Sequence, residues 1–208
     1  MPAFAPITPD ALTELVADRV AELPGFAIVA VDGADAADPV SFAHKVAAHL
    51  RAHGRPAEVV SLHDYVRPAS VRLEYDRDDE FTYRTGWFDY PALTREVIDA
   101  LHEHGRWLPA LWNETTDRSA RARIRTAPAG LVVLIAGPML LGRGLSVDLS
   151  VALRMSEAAV RRRTAPENGF TVTAAVEHAR SHPQEPDLLV AWDHPDRPAV
   201  RLSPADRR

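Results

Sequence analysis

Phe26-Ala27-Ile28-Val29-Ala30-Val31-Asp32-Gly33-Ala34-Asp35-Ala36-Ala37-Asp38-Pro39-Val40-Ser41 is the stretch that decides the fold. Six apolar residues end in Asp-Gly, and a loop of small residues follows. Val40, Ala43, Ala47 and Leu50 then recur at helical spacing. Strand, tight loop and helix form the opening unit of an α/β sheet.

Outward from that unit, apolar runs predict strands over residues 26–31, 59–62, 131–135, 149–153 and 188–192. Residues 199–202 are read as an added edge strand. Thr8-Pro9-Asp10 supplies an N-cap, a proline at N1 and an acid in the first turn of a helix that Pro24-Gly25 stops. Further helices are predicted over 39–53, from Pro91 to 104, from the cap Ser156 through 163, and over 171–181. Strands alternating with helices imply a mostly parallel five-stranded sheet with helices on both faces. Residues 1–208 read as a single domain, with an N-terminal helix within 1–24 and active-face insertions at 66–88 and 105–125. Most of the first insertion is polar, charged and without period, which predicts a long loop. Arg106–Asp117 is read as a short hairpin, with the alternating Arg121–Arg125 as its second strand.

Composition narrows the function. The chain of 208 residues is 46% hydrophobic and 25% charged, as soluble globular proteins are. A net charge of -5 supplies no basic field toward nucleic acid or a membrane surface. No apolar run approaches the ~18 residues of a membrane span. No basic start precedes an apolar core, so a signal peptide is not expected. The absence of cysteine excludes disulfides, thiolate metal sites and a cysteine nucleophile, and suits a cytoplasmic location. Lys45 is the only lysine. The arginine-rich, alanine-rich usage fits a GC-rich genome, so the arginine excess alone carries no function.

A loop that cradles phosphates reads G-x-x-x-x-G-K-[ST] at this place in the fold. Gly33 is the first glycine, but Asp38, Pro39 and Val40 stand at the second glycine, the lysine and the hydroxyl. Pro39 brings neither the charge nor a backbone N–H, and Asp38 adds negative charge. Lys45 lies six residues past Pro39, about 9 Å along a helix, too far to substitute. Ser41 offers a hydroxyl one position late.

The order of further segments resembles the uridine kinase group of P-loop kinases over nearly the whole chain. Ser61-Leu62-His63-Asp64-Tyr65-Val66-Arg67-Pro68 is similar to the family's S-x-D-D-F-x-R segment. Trp87-Phe88-Asp89-Tyr90-Pro91-Ala92-Leu93 resembles its W-F-D-Y-x-A-L segment, and Leu134-Ile135-Ala136-Gly137-Pro138-Met139-Leu140-Leu141 its V-D-G-x-x-L-L strand end. Arg161-Arg162-Arg163 falls where the family carries lid arginines, and Leu189-Val190-Ala191-Trp192-Asp193 at its final strand. A bacterial branch of the family is similar in its D-G-A-x-A-A-D-P loop. The resemblance implies that Asp64 and Asp89 face an acceptor nucleoside and that His63 stands at the usual base. Ala136 stands where an acid would order Mg²⁺. With Pro39 and Asp38, these departures make ATP and Mg²⁺ unexpected as cofactors, because phosphoryl transfer is mostly positioning and charge stabilisation.

The candidate catalytic residues are therefore His63, Asp64 and Asp89, and histidine titrates near neutrality as a base should. Tyr65, Arg67, Tyr83, Trp87, Trp112, Arg161 and Arg162 are candidate ligand contacts, and Gly33 and Ser41 are what remains of the phosphate loop. Each has a plainer reading: Asp89 as the cap of the helix at Pro91, the aromatics as core, the arginines as a solvated helix end. His49 and His53 have metal-ligand spacing without an accompanying acid, and no metal site is expected. The expected partner is a small polar or nucleoside-like molecule, with a second copy or a partner enzyme as a further candidate and no nucleic acid or membrane. The expected role is a pseudokinase-like binder or regulatory subunit. Its rivals are a nucleoside kinase with an unorthodox donor site, a repurposed enzyme in the acceptor pocket, and a scaffold.

Overall fold

In the computed structural model, which describes residues 4–201, the strands follow as β1 (Phe4–Pro6), β2 (Ala27–Asp32), β3 (Ala57–Ser61), β4 (Arg106–Trp107), β5 (Trp112–Asn113), β6 (Arg118–Ser119), β7 (Arg125–Thr126), β8 (Val132–Gly137), β9 (Leu149–Arg154), β10 (Leu188–Ala191) and β11 (Ala199–Arg201). The α-helices are α1 (Pro9–Ala21), α2 (Pro39–Ala52), α3 (Ala69–Arg72), α4 (Glu80–Thr85), α5 (Tyr90–Leu93), α6 (Ala100–His104), α7 (Glu157–Arg163) and α8 (Gly169–Ser181).

One seven-stranded sheet runs in the order β1-β11-β10-β9-β2-β8-β3. The five strands β10, β9, β2, β8 and β3 are parallel to one another, while β11 and β1 add on antiparallel. The fold class is thus a mostly parallel α/β sheet, larger than the five strands expected. Residues 199–201 are not the edge: β11 is covered by β1, whose three residues carry too short a pattern to read from sequence. Leu202 lies outside the described residues.

Alternation along the central strands explains the two layers. Ala27, Val29 and Val31 join α1 and α2 in one core, while Ile28 and Ala30 join Tyr65, Val97, Leu101 and Trp107 in the other. A strand buried on both sides reads as a continuous apolar run, as β2 and β8 do. Thr8 caps α1 by accepting a 3.2 Å hydrogen bond from the Ala11 amide, and Pro9 opens the helix.

The first insertion is not a structureless loop, because it carries α3 and α4. The second holds two small ribbons: β4 pairs with β7 at the end of the expected second strand, and β5 with β6 forms a further ribbon inside it. The helix predicted from Pro91 starts one residue earlier and contains a π-helical segment, Thr94–Asp99, between α5 and α6. Among the described residues no helix is long and apolar enough to cross a membrane.

Candidate functional site

The parallel strands end at one edge, where open α/β sheets bind ligands. The loop at 33–38 crosses the end of β2 there. Gly33 allows close approach of β9: a Cβ at this position would sit 3.2 Å from the Leu153 Cβ and 3.3 Å from its carbonyl oxygen. Gly137 is tighter, since an added Cβ would lie 2.5 Å from the Leu62 Cβ. Asp35–Ala37 form a single 3₁₀ turn, and Asp38 follows in the left-handed region at φ 52°. That is the conformation for which a glycine is favoured, and a short polar side chain tolerates it best among the others. The Asp38 carboxylate accepts from the Ser41 amide at 3.2 Å and so caps α2, with Pro39 at its first position.

Three of the loop amides are committed inside the protein. Gly33 N donates to Gly137 O, Ala37 N to Ala34 O, and Asp38 N to Asp35 O. The Trp192 indole pins the turn from behind, donating to Ala37 O at 2.8 Å. Asp32, at the end of β2, accepts from the Leu140 amide at 2.8 Å and lies 3.6 Å from Arg154. Burial raises the pKa of its carboxyl, against the opposing pull of Arg154 and the backbone donors.

Asp35 turns the other way, into a cluster of side chains from the turn after β3 and from the two insertions. Its carboxylate meets His63 Nε2 at 3.0 Å and accepts from the Tyr83 hydroxyl at 3.0 Å. His63 Nδ1 lies 2.7 Å from Glu114 Oε2. Both ring nitrogens face carboxylate oxygens, so the ring satisfies both only as an imidazolium. Burial lowers the His63 pKa, but the hydrogen bonds and charges of Asp35 and Glu114 outweigh it and raise the value to about 10. Glu114 is the hub: beyond His63 it accepts from Trp87 Nε1 at 2.8 Å and from Arg72 at 3.1 Å. Burial works to raise its pKa, yet the pairing with His63, with help from Trp87 and Arg72, brings it below the usual range. Arg72 is 5% exposed, stacks 4.9 Å over the Trp87 ring, and also reaches Asp117 and the Arg67 carbonyl.

This cluster forms one wall of a cavity of about 440 Å³. Asp35, His63, Tyr83, Trp87 and Glu114 line it from one side, and Arg163, Thr164, Asn168, Phe170 and Thr171 from the other. The Tyr83, Trp87 and Phe170 rings pack with centroids 5.2 to 6.1 Å apart, the spacing of attractive aromatic pairs.

Of the residues singled out from sequence, His63, Tyr83 and Trp87 therefore meet at one cavity. Asp64, Tyr65, Arg67, Asp89, Trp112, Arg161 and Arg162 are not among its lining. Asp89 accepts from the Ala92 amide at 3.0 Å and caps α5. Tyr65 is fully buried, with its hydroxyl donating to Leu108 O. Trp112 donates to Asp117, and Arg161 pairs with Glu157 one helical turn away. Burial raises the Asp64 pKa, and its carbonyl anchors the Leu111 amide. The amide of Ser41 is spent on the cap. His63 as a base would first have to release a carboxylate. Sequence reasoning missed Asp35 and Glu114 as wall residues and Arg72 behind them, and from the arginine run at 161–163 it took Arg161 and Arg162, whereas Arg163 lines the cavity. Asp35 sits at an unspecified position of the loop motif, and Glu114 is tied to His63 across 51 residues, so no local pattern marks either.

No protein-family model and no curated protein matches the sequence. Solved structures do match in fold. A Bacillus stearothermophilus protein with the provisional name uridine kinase is 15% identical, covering 85% of this chain and 96% of its own, with a TM-score of 0.69. A Silicibacter sp. TM1040 protein with the provisional name fructose transport system kinase is 22% identical, covering 88% and 98%, also at 0.69. The YGR205w protein is 12% identical, covering 95% and 99%, at 0.62. The chain has the fold of the uridine kinase-like P-loop kinases.

Proposed function

We propose that the chain binds a small polar, ring-bearing ligand, nucleoside-like in combining a ring with hydroxyls, in the 440 Å³ cavity. It does so without ordinary phosphoryl transfer from ATP–Mg²⁺, as a pseudokinase-like binder or a regulatory subunit. The observation that carries this reading is the pairing of two carboxylates, Asp35 and Glu114, with the Trp87 and Phe170 rings around one cavity. Rings stack on aromatic faces, and hydroxyls donate to carboxylates.

The donor side supports the same reading, because its residues do not fit ATP–Mg²⁺. Pro39 has no amide and no charge for a phosphate, and the Asp38 side chain and amide are held by the helix cap and the 3₁₀ turn. Asp35 directs a carboxylate toward the cavity where an anionic donor group would meet its acceptor. Ala136, on β8, has no side-chain oxygen to offer a metal. A ligand with hydroxyls in place of phosphates is the better electrostatic match.

The test is a thermal-shift screen of nucleosides, free sugars and sugar phosphates, with and without Mg²⁺, followed by calorimetry on the best ligand. A charged hydrogen bond is worth roughly 1.5–3 kcal/mol. Asp35→Asn and Glu114→Gln should each weaken binding about ten- to a hundredfold, whereas the exposed Asp18→Asn should leave it unchanged. Equal affinity in all three variants would remove the cavity from consideration.

A further inference from the structure

We propose that a second cavity, about 430 Å³ between the end of β9, α7 and α8, binds a small amphipathic monoanion: an aliphatic or aromatic body carrying one carboxylate. This site shares Ala34 and Val160 with the proposed ligand cavity but opens on Arg154 rather than on Asp35 and Glu114, and it does not depend on that reading.

The body of the cavity is apolar. Leu153, Met155, Val160, Val172 and Val176 form its walls and carry no polar side-chain group except the Met155 thioether. Its volume falls in the range of small-molecule sites, and apolar walls with a few polar groups at one place are their usual composition. The polar groups here are not equivalent. Glu157 is already paired with Arg161 at 2.7 Å, and Glu185 with Arg201. Arg154 is different. Its guanidinium is half-exposed, and its ion pair with Asp32 at 3.6 Å is too long for a hydrogen bond. Its N–H groups have no hydrogen-bond acceptor among the described residues. One fork of donors beside an apolar chamber fits one carboxylate bidentately. The carboxylates of Glu157 and Glu185 on the same lining disfavour a polyphosphate.

A second observation points to the same end of the chamber. A recess of about 30 Å³ adjoins it, with Asp32, Arg154, His178 and His182 among its mixed polar and apolar lining, and Arg154 and His182 line both. His178 is 4% exposed. Its Nε2 lies 2.7 Å from Leu141 O and must donate there, which leaves Nδ1 as an acceptor. Nδ1 is buried without a partner. A recess of this size holds one water molecule, which needs polar neighbours on more than one side. A carboxylate on Arg154 would add an acceptor beside that of Asp32 for the water that donates to His178 Nδ1.

The probes are octanoate, 1-naphthoate and, as the uncharged control, octan-1-ol. Calorimetry should show saturable binding of a carboxylate probe, with octan-1-ol at least about tenfold weaker. Arg154→Gln should cost a carboxylate about tenfold and leave octan-1-ol unchanged, and Val176→Trp, which fills the chamber, should abolish binding of both. The unsubstituted protein gives an independent reading by methyl-labelled NMR: titration should shift the methyl signals of Met155, Val160, Val172 and Val176 together. Failure of both carboxylates to saturate, binding indifferent to Arg154→Gln, or methyl shifts confined to other parts of the core would each overturn the proposal.

Discussion

The loop at 33–38 and the cluster around Glu114 share one edge of the sheet but keep their shapes by different means. The loop is shaped mainly by neighbours in sequence, with amides bonded three residues back and a carboxylate capping the helix it precedes, and is tied to the sheet by Gly33 N on Gly137 O and by the Trp192 indole on Ala37 O. The cluster is held across distance, with His63, Arg72 and Trp87 converging on Glu114 from 51, 42 and 27 residues away. Local bonds let a loop keep its path while its charged chemistry changes. The long-range cluster has no such freedom, because each member satisfies a charge on another. The functional surface is therefore expected to be more sensitive to substitution in the cluster than in the loop.

Arg72→Met should produce the largest effect. It removes a buried cation from beside two partly exposed carboxylates, and losing such charged hydrogen bonds costs about 1.5–3 kcal/mol. Urea unfolding should show that loss, and ligand binding in the cavity should fall with it as Trp87 loses the stacked guanidinium. A loss no larger than that of a surface variant would mean that the cluster is solvated and loose.

His63→Gln should have a smaller effect with a diagnostic pH dependence. The folded pKa, about 10, lies above the ordinary 6.5. The stabilisation is therefore complete below pH 6.5, declines as pH rises, and is gone above about 10. About a third of the side chain is exposed, so solvent screening reduces its size. Unfolding at pH 6 and at pH 10 should show the gap between wild type and variant closing at the higher pH. A gap that widens would contradict an imidazolium held by Asp35 and Glu114.

The smallest effect belongs to the loop. Asp38→Ala loses a helix cap and leaves a side chain in the left-handed region, together about 1–2 kcal/mol. Asp38→Gly should cost less, since glycine relieves the backbone while giving up the cap. If Asp38→Ala matched Arg72→Met, the contrast between local and long-range bonding would fail.

The same contrast sets what can be read from sequence. β2, β8, β9 and β10 are legible because strands covered on both faces need unbroken apolar runs, and α1, α2 and α7 because Thr8, Pro39 and Ser156 mark their starts. The short strands β1 and β4–β7 have two or three residues each, too few for a period. At the site, His63 and Trp87 stand in quotable segments, while Tyr83 is an aromatic of the first insertion with no motif around it. Asp35, Arg72 and Glu114 are common charged residues whose meaning comes only from contact with one another. Asp89 shows the converse: a family position that attracts notice, with a side chain spent on capping α5.

The central claim is that the acceptor side binds and the donor side does not, and calorimetry with Mg²⁺–ATP tests it most directly. The account predicts no saturating, magnesium-dependent heat from ATP at micromolar concentrations, while the cavity ligand binds in the absence of Mg²⁺ and loses affinity in Asp35→Asn. Magnesium-dependent ATP binding with a micromolar Kd would contradict it.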